Sequence, residues 1–154
     1  MAELRRYGLG SPPAALTLAA DAGDAAWGET LSIGERHITV TLDQVSQFLR
    51  AVGLGGSDIP KPDTARRLQK AMKDTVARGT ARSVAPRLAG TPWQLGGKTG
   101  TGPPKKSPRF DGWFAGLIFE GGQPRYTVAV YIDGGGPGGG VAASIAADLT
   151  RLLR

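Results

Sequence analysis

Cysteine is absent from this 154-residue chain, asparagine is absent too, and histidine occurs once, at His37. Without cysteine there is no disulfide, no thiol nucleophile and no thiolate-ligated metal. One histidine leaves no room for a histidine-based triad or a multi-histidine zinc site, so the reading calls for no metal and no cofactor. Long apolar runs are missing as well: no stretch reaches the ~18 residues of a membrane-spanning helix. The opening residues, Met1 to Gly8, have no apolar run of signal-peptide type, so no targeting segment is visible.

Glycine is plentiful instead, with 24 residues, beside 11 prolines. That composition points to a turn-rich domain rather than a helical bundle. With 40% hydrophobic residues the chain can build a core, and its length suits one ordinary domain or a piece of a larger one. The net charge of +6 fits an anionic partner, such as nucleic acid, a lipid surface or a carboxylate polymer. A solvated basic surface accounts for the same charge.

Residues 1–36 show little periodicity, and Tyr7–Pro13 reads as a loop because glycine and proline punctuate it. Ile38–Thr41 is a short extended piece. Thr41 and Gln44 then form a T-x-x-Q capping box, and Leu42, Val45, Phe48, Leu49 and Val52 recur at helical spacing up to Gly53. This predicts an amphipathic helix over 42–52. A second helix, capped by Asp63 or Thr64 and ended by Gly79, has Leu68, Ala71, Met72 and Val76 on one face. Arg66, Arg67, Lys70, Lys73 and Arg78 line its polar side; without interleaved aromatics these read as a solvated face rather than a phosphate stripe. Residues 80–92 look irregular, with Pro86 and Pro92 as breakers.

The final third changes character. Residues 93–101 are a strand candidate, followed by a Pro/Lys-rich loop at 102–109. Trp113–Phe119 is a continuous apolar run of the kind buried on both faces. A turn at Gly121-Gly122 leads into Tyr126–Ile132, β-branched and aromatic throughout. After a flexible loop at Gly134–Gly140, a closing helix places Ile145, Leu149, Leu152 and Leu153 on one face, with Arg151 and Arg154 suiting its C-terminal dipole. The fold class is α+β: an antiparallel sheet with a C-terminal helix packed on it, residues 1–92 giving loops and helices and 93–154 the strands and last helix of one domain.

The chemistry concentrates in Gln94–Gly102, where Gly97-Lys98-Thr99 invites a phosphate-loop reading. That motif needs glycine at position 92, which is proline here, and a helix after Thr99, where Gly100, Gly102, Pro103 and Pro104 follow instead. The phosphate loop is rejected. The other reading is a Lys-Thr-Gly strand lining an acyl-transfer site. The Lys98 ammonium can stabilise a substrate carboxylate and share in proton movement near a serine. Thr99 and Thr101, at alternate positions, share a face and can hold that carboxylate. Gly100 lets a substrate backbone lie close, and an N–H just beyond it can serve in an oxyanion hole.

The neighbours of this strand raise a resemblance. Tyr7-Gly-Leu-Gly10 resembles an "FGFG" loop, and Leu31–Gly34 with Ile38–Gln44 resembles "IGQG-xxxTPLQ". Leu68–Ala81 resembles a helix ending in "GTA", Gly97–Thr101 the active-site strand, Asp111–Gly116 the "AWFVG" strand after it, and Gly138–Ala143 the approach to the last helix. In this order, from about Tyr7 to the C-terminus, they are similar to the C-terminal half of a penicillin-binding protein transpeptidase domain, the serine D,D-transpeptidase fold shared with serine β-lactamases. The resemblance implies that Lys98 is the basic group of the third motif. It implies that Thr99, Gly100 and Thr101 bind the carboxylate of a peptidoglycan stem peptide or β-lactam, and that the Thr101 N–H is an oxyanion donor. Trp113 and Phe114 are assigned to the sheet core.

The chain departs from the family at Gly34-Glu35-Arg36, where "GQG" is usual, at Ser144, where "AAP" has proline, and most of all in two whole motifs. It contains no Ser-x-x-Lys, and without asparagine it cannot contain Ser-x-Asn. The nucleophile and its activating lysine are therefore missing, and this polypeptide alone is not expected to acylate. The reading is of a partial transpeptidase completed by an upstream segment carrying both motifs, with chemistry outside the cytoplasmic membrane. The alternative is a non-catalytic binding or scaffolding module. Nucleic acid is not an expected partner. Residues 113–119 are expected to expose apolar surface once separated from the missing half, favouring self-association.

Overall fold

The computed structural model describes residues 40–56, 60–103 and 108–153. Tyr7–Pro13, Leu31–Gly34, the extended piece before Val40, residues 104–107 and Arg154 lie outside the described residues. The chain divides into two compact units, Met1–Phe48 and Leu49–Arg154.

Helix α1 (Leu42–Gly53) begins as its sequence predicts. The Thr41 N–H donates to Gln44 Oε1 at 3.0 Å and the Gln44 N–H donates back to Thr41 Oγ1 at 3.2 Å, both halves of the capping box. In the second unit its last turn buries Leu49 and Val52. Gln69 of helix α2 (Pro62–Ala77) donates to the Val52 carbonyl at 2.7 Å.

Helix α2 is capped differently from the expectation. Its N-cap is Lys61, without a side-chain cap, and Pro62 opens the helix, where a preset φ and a missing N–H cost nothing. Asp63 instead pairs with Arg66 at 3.4 Å and Arg67 at 2.9 Å. Asp74 likewise pairs with Lys70 at 3.0 Å and Arg78 at 2.8 Å. Two carboxylates thus pair with four of the five basic residues along their own helix, and the face stays net positive. The buried stripe is Ala65, Met72 and Val76, while Ala71 is exposed. Gly79 accepts no left-handed φ; it is small because a Cβ there would sit 2.8 Å from Thr75 Cα.

Residues 80–92 are more ordered than their prolines suggest: Arg82–Leu88 form a 3-10 helix containing Pro86 and burying Val84 and Leu88. Strands β1 (Trp93–Gly102), β2 (Asp111–Glu120) and β3 (Gln123–Ile132) make a three-stranded antiparallel sheet in the order β1-β2-β3. β2 and β3 are joined by Gly121 and Gly122 at φ 56° and 82°, the two positive φ values of a tight hairpin matched to strand twist. The register sets Leu95 against Ile118, Thr99 against Phe114, and Phe114 against Val130.

That register gives each face its cover. One face, with Leu95, Phe114, Ile118, Val128 and Val130, forms the core with the 3-10 helix and helix α3 (Val141–Arg151). On the other face Gly53, at the end of α1, lies against Leu117, and Lys73 of α2 stacks 4.2 Å over the Phe119 ring. Phe114, Leu117, Ile118 and Phe119 are all buried. The apolar run is therefore covered by the chain's own helices, and the expected exposure of residues 113–119 is not found.

Helix α3 corrects the reading of the closing segment. Its buried residues are Ala142, Ala143, Ala146, Ala147 and Thr150, whereas Leu149 is 48% and Leu152 76% exposed. Small side chains bring the helix axis close to the sheet, and the alanine stripe wins the contact because larger residues do not fit at that distance. Ile145 and Leu153 do pack, partly buried, against the core as predicted, and the Leu153 carbonyl accepts from Trp93 Nε1 at 3.2 Å.

Candidate active site

The second half of β1 carries the predicted site residues, and strand alternation separates them. Lys98 is exposed, pairs across the sheet with Ala115, and its Nζ donates to the Thr99 carbonyl. Thr99 is only 7% exposed, and its hydroxyl shares a 2.6 Å hydrogen bond with the Thr80 hydroxyl. Thr101 is exposed, and its Oγ1 accepts from the Gly138 N–H at 3.3 Å. Thr99 and Thr101 do share a face, as their spacing requires, yet they are not presented together. One hydroxyl ties the strand to the segment after α2; the other reaches solvent.

The glycines of this stretch are explained by the chain itself. A Cβ at Gly96 would lie 2.9 Å from the Lys73 backbone nitrogen, and one at Gly97 would strike the Phe114 ring. Gly100 faces the Trp113 side chain, 3.2 Å from where its Cβ would be. Small residues are thus required at 96 and 97 by α2 and β2 before any ligand arrives, while a side chain at 100 would only crowd Trp113.

The loop after β3 closes over the end of the strand. Asp111, 1% exposed at the start of β2, accepts from Tyr131 OH at 2.7 Å and from the Gly134 N–H at 2.9 Å. Gly136 N–H donates to the Phe110 carbonyl at 2.7 Å. Gly138 then enters a slot that no side chain could share, since its Cβ would collide with the carbonyl oxygens of Gly100 and Trp113. Tyr131 also packs on Trp113, ring centroids 4.5 Å apart. Its hydroxyl is pushed up to about 12, chiefly because Asp111 accepts its hydrogen bond, with burial and the charges of Asp111 and Asp133 adding to it.

Lys98, Thr99, Gly100 and Thr101 are therefore contiguous on a strand that is terminal in the sheet among the described residues, with Lys98 and Thr101 exposed. Chemically the arrangement offers one cation and one hydroxyl whose acceptor side is already engaged. Sequence reasoning missed Thr80, Asp111, Tyr131 and Gly138 as individual residues. Thr80, Asp111 and Gly138 stood inside recognised stretches, and Tyr131 inside the third predicted strand.

No curated protein matches the sequence significantly. A solved structure, the D,D-transpeptidase domain of a peptidoglycan glycosyltransferase from Eggerthella lenta, is 32% identical over 60% of this chain, with a TM-score of 0.45. This chain spans 20% of the length of that one. The family model described as the penicillin binding protein transpeptidase domain matches residues 1–151. That match includes the Lys98–Thr101 strand, the Asp111 strand and the helix that follows the glycine loop, and the chain belongs to the penicillin-binding protein transpeptidase family.

Proposed function

We propose that this chain is the carboxylate-binding and oxyanion side of a serine D,D-transpeptidase that cross-links peptidoglycan stem peptides by acyl transfer. An upstream segment bearing Ser-x-x-Lys and Ser-x-Asn supplies the nucleophile, and the reaction runs on the outer side of the cytoplasmic membrane. Lys98 places positive charge beside the reacting serine. The Thr101 hydroxyl donates to that carboxylate, and the Thr101 N–H donates to the oxygen that becomes negative as the serine adds to the carbonyl. Gly100 keeps the approach to the strand free of side-chain bulk. Thr99, buried against Thr80, supports the strand from behind rather than touching the ligand.

The observation that supports this reading is the exposure of Lys98 and Thr101 on a strand terminal in the sheet among the described residues, inside a sequence matched by the transpeptidase family. The test is covalent labelling by a fluorescent penicillin of the protein that includes the upstream segment. Wild type labels, and Lys98→Ala slows labelling on the order of 10²-fold or more, the usual effect of removing a charge-stabilising group. Absence of labelling in the wild type overturns the enzyme reading and leaves the scaffolding module, which the missing Ser-x-x-Lys already favours as second choice.

A further inference from the structure

We propose that Asp111 is a positioning residue for Thr101, acting through the glycine loop that follows β3. The inference rests on the function proposed above, and its parts are all outside the Lys98–Thr101 motif. Asp111 is buried, and one carboxylate accepts from both Tyr131 OH at 2.7 Å and the Gly134 N–H at 2.9 Å. It thereby pins the first residues of the loop to the start of β2. Gly136 adds a second tie to Phe110 at 2.7 Å. Two residues further on, Gly138 delivers its N–H to Thr101 Oγ1 at 3.3 Å.

The consequence lies in what a hydroxyl can do. A threonine hydroxyl has one proton to give and two lone pairs to receive. With Gly138 donating to the oxygen, the Thr101 proton has no reason to point back at the loop. Among the described residues no acceptor takes it, and Thr101 is exposed. The loop therefore presets Thr101 as a donor facing solvent, which is the polarity a carboxylate ligand needs. If the loop drifts, the hydroxyl rotates freely and part of the ligand's binding energy goes into fixing it. Asp111 touches no ligand; it acts by holding the loop.

Two measurements decide the matter. In the chain itself, amide hydrogen exchange reads the loop directly: Asp111→Asn keeps the side-chain shape but gives up one of the two acceptor oxygens. We expect the Gly134 and Gly138 amides to exchange at least about tenfold faster, and the Gly138 amide alone to do so in Thr101→Val. In the protein with its upstream segment, penicillin acylation is followed against concentration to separate the Kd of the encounter complex from the acylation rate. Asp111→Asn and Thr101→Val each raise Kd about tenfold, the scale of one hydrogen bond to a charged group, with the acylation rate within about twofold. Asp111→Asn adds no further loss in a Thr101→Val background.

Unchanged Gly138 exchange in Asp111→Asn overturns the inference, as does an effect on Kd that persists undiminished in the double variant. Should Asp111→Asn unfold, Tyr131→Phe, which removes the tyrosine's bond to Asp111, is read in the same way. A wild type that does not acylate removes the proposed function, while the exchange result still decides whether Asp111 positions Gly138.

Discussion

The bond between Thr80 and Thr99 supports a sharp prediction, because its two ends sit in different surroundings. Thr99 is 7% exposed, Thr80 is on the surface, and their hydroxyl oxygens are 2.6 Å apart. Replacing either residue by valine deletes the same hydrogen bond with nearly the same shape, so a contact-counting view expects equal losses. The solvent decides otherwise. In Thr99→Val the surviving Thr80 hydroxyl turns to water, and the loss is only the net value of the bond, about 0.5–1.5 kcal/mol. In Thr80→Val the surviving Thr99 hydroxyl is buried without a partner and bears its desolvation, about 1–3 kcal/mol. Thr80→Val is therefore the more destabilising change by roughly 1 kcal/mol, or about 3 °C in melting temperature for a chain of this size. The double variant should lose less than the sum of the two singles. Urea unfolding of the two singles and the double, followed by circular dichroism, measures all three terms. If Thr99→Val is as costly as Thr80→Val, or if the two are additive, the burial argument fails.

Two further outcomes follow from packing and one from charge. Leu149 and Leu152 face outward on α3, so Leu149→Ser should change stability by no more than about 0.5 kcal/mol. Ala146, fully buried, should not tolerate growth: Ala146→Leu is expected to destabilise by about 1–3 kcal/mol, and thermal melts distinguish the two. Tyr131 has a folded-state value raised from 10.0 to about 12, chiefly by its hydrogen bond to Asp111. A raised value means that the unfolded chain releases the proton first, so this contribution is intact below pH 10 and fades between pH 10 and 12. Denaturation of wild type should therefore steepen against pH across that window relative to Tyr131→Phe, and identical curves would contradict the Asp111 contact.

The sheet was legible because its signals are local. β-branched runs, a Gly-Gly turn and a two-face apolar segment each depend on a few adjacent residues, and all three strands lie where those signals place them. The capping box of α1 was legible for the same reason. Helix α3 was misread because hydrophobicity and fit give opposite answers there. Leucines are the more apolar residues, but the close approach of the helix to the sheet selects alanines, and that distance is a property of the assembled core. The cap of α2 was misread because Asp63 is a good N-cap type, while Pro62, one residue earlier, already fixes the start. Pro86 reads as a breaker, yet its fixed φ of about −65° lies within the 3-10 range, and it sits inside the short Arg82–Leu88 helix.

The site was legible as a motif and not as an arrangement. Lys98 and Thr101 are three positions apart on a strand, so their side chains leave on opposite faces and stand roughly 10 Å apart along it. A ligand lying over one face of the sheet cannot use both. An extended ligand running along the outer edge of β1 can, because the edge is where both faces are reachable, and among the described residues β1 is terminal in the sheet order. That geometry separates the two roles along the ligand. It predicts that Lys98→Ala acts on the rate of acylation and Thr101→Val on encounter affinity, since the two groups meet different parts of the same extended peptide. The spacing predicts a shared face for Thr99 and Thr101, but the burial of Thr99 leaves Lys98 and Thr101 as the exposed side chains of the motif. A penicillin titration in which both variants shift the same parameter by the same factor would mean that the ligand sits over one face, and the edge-bound arrangement would have to be abandoned.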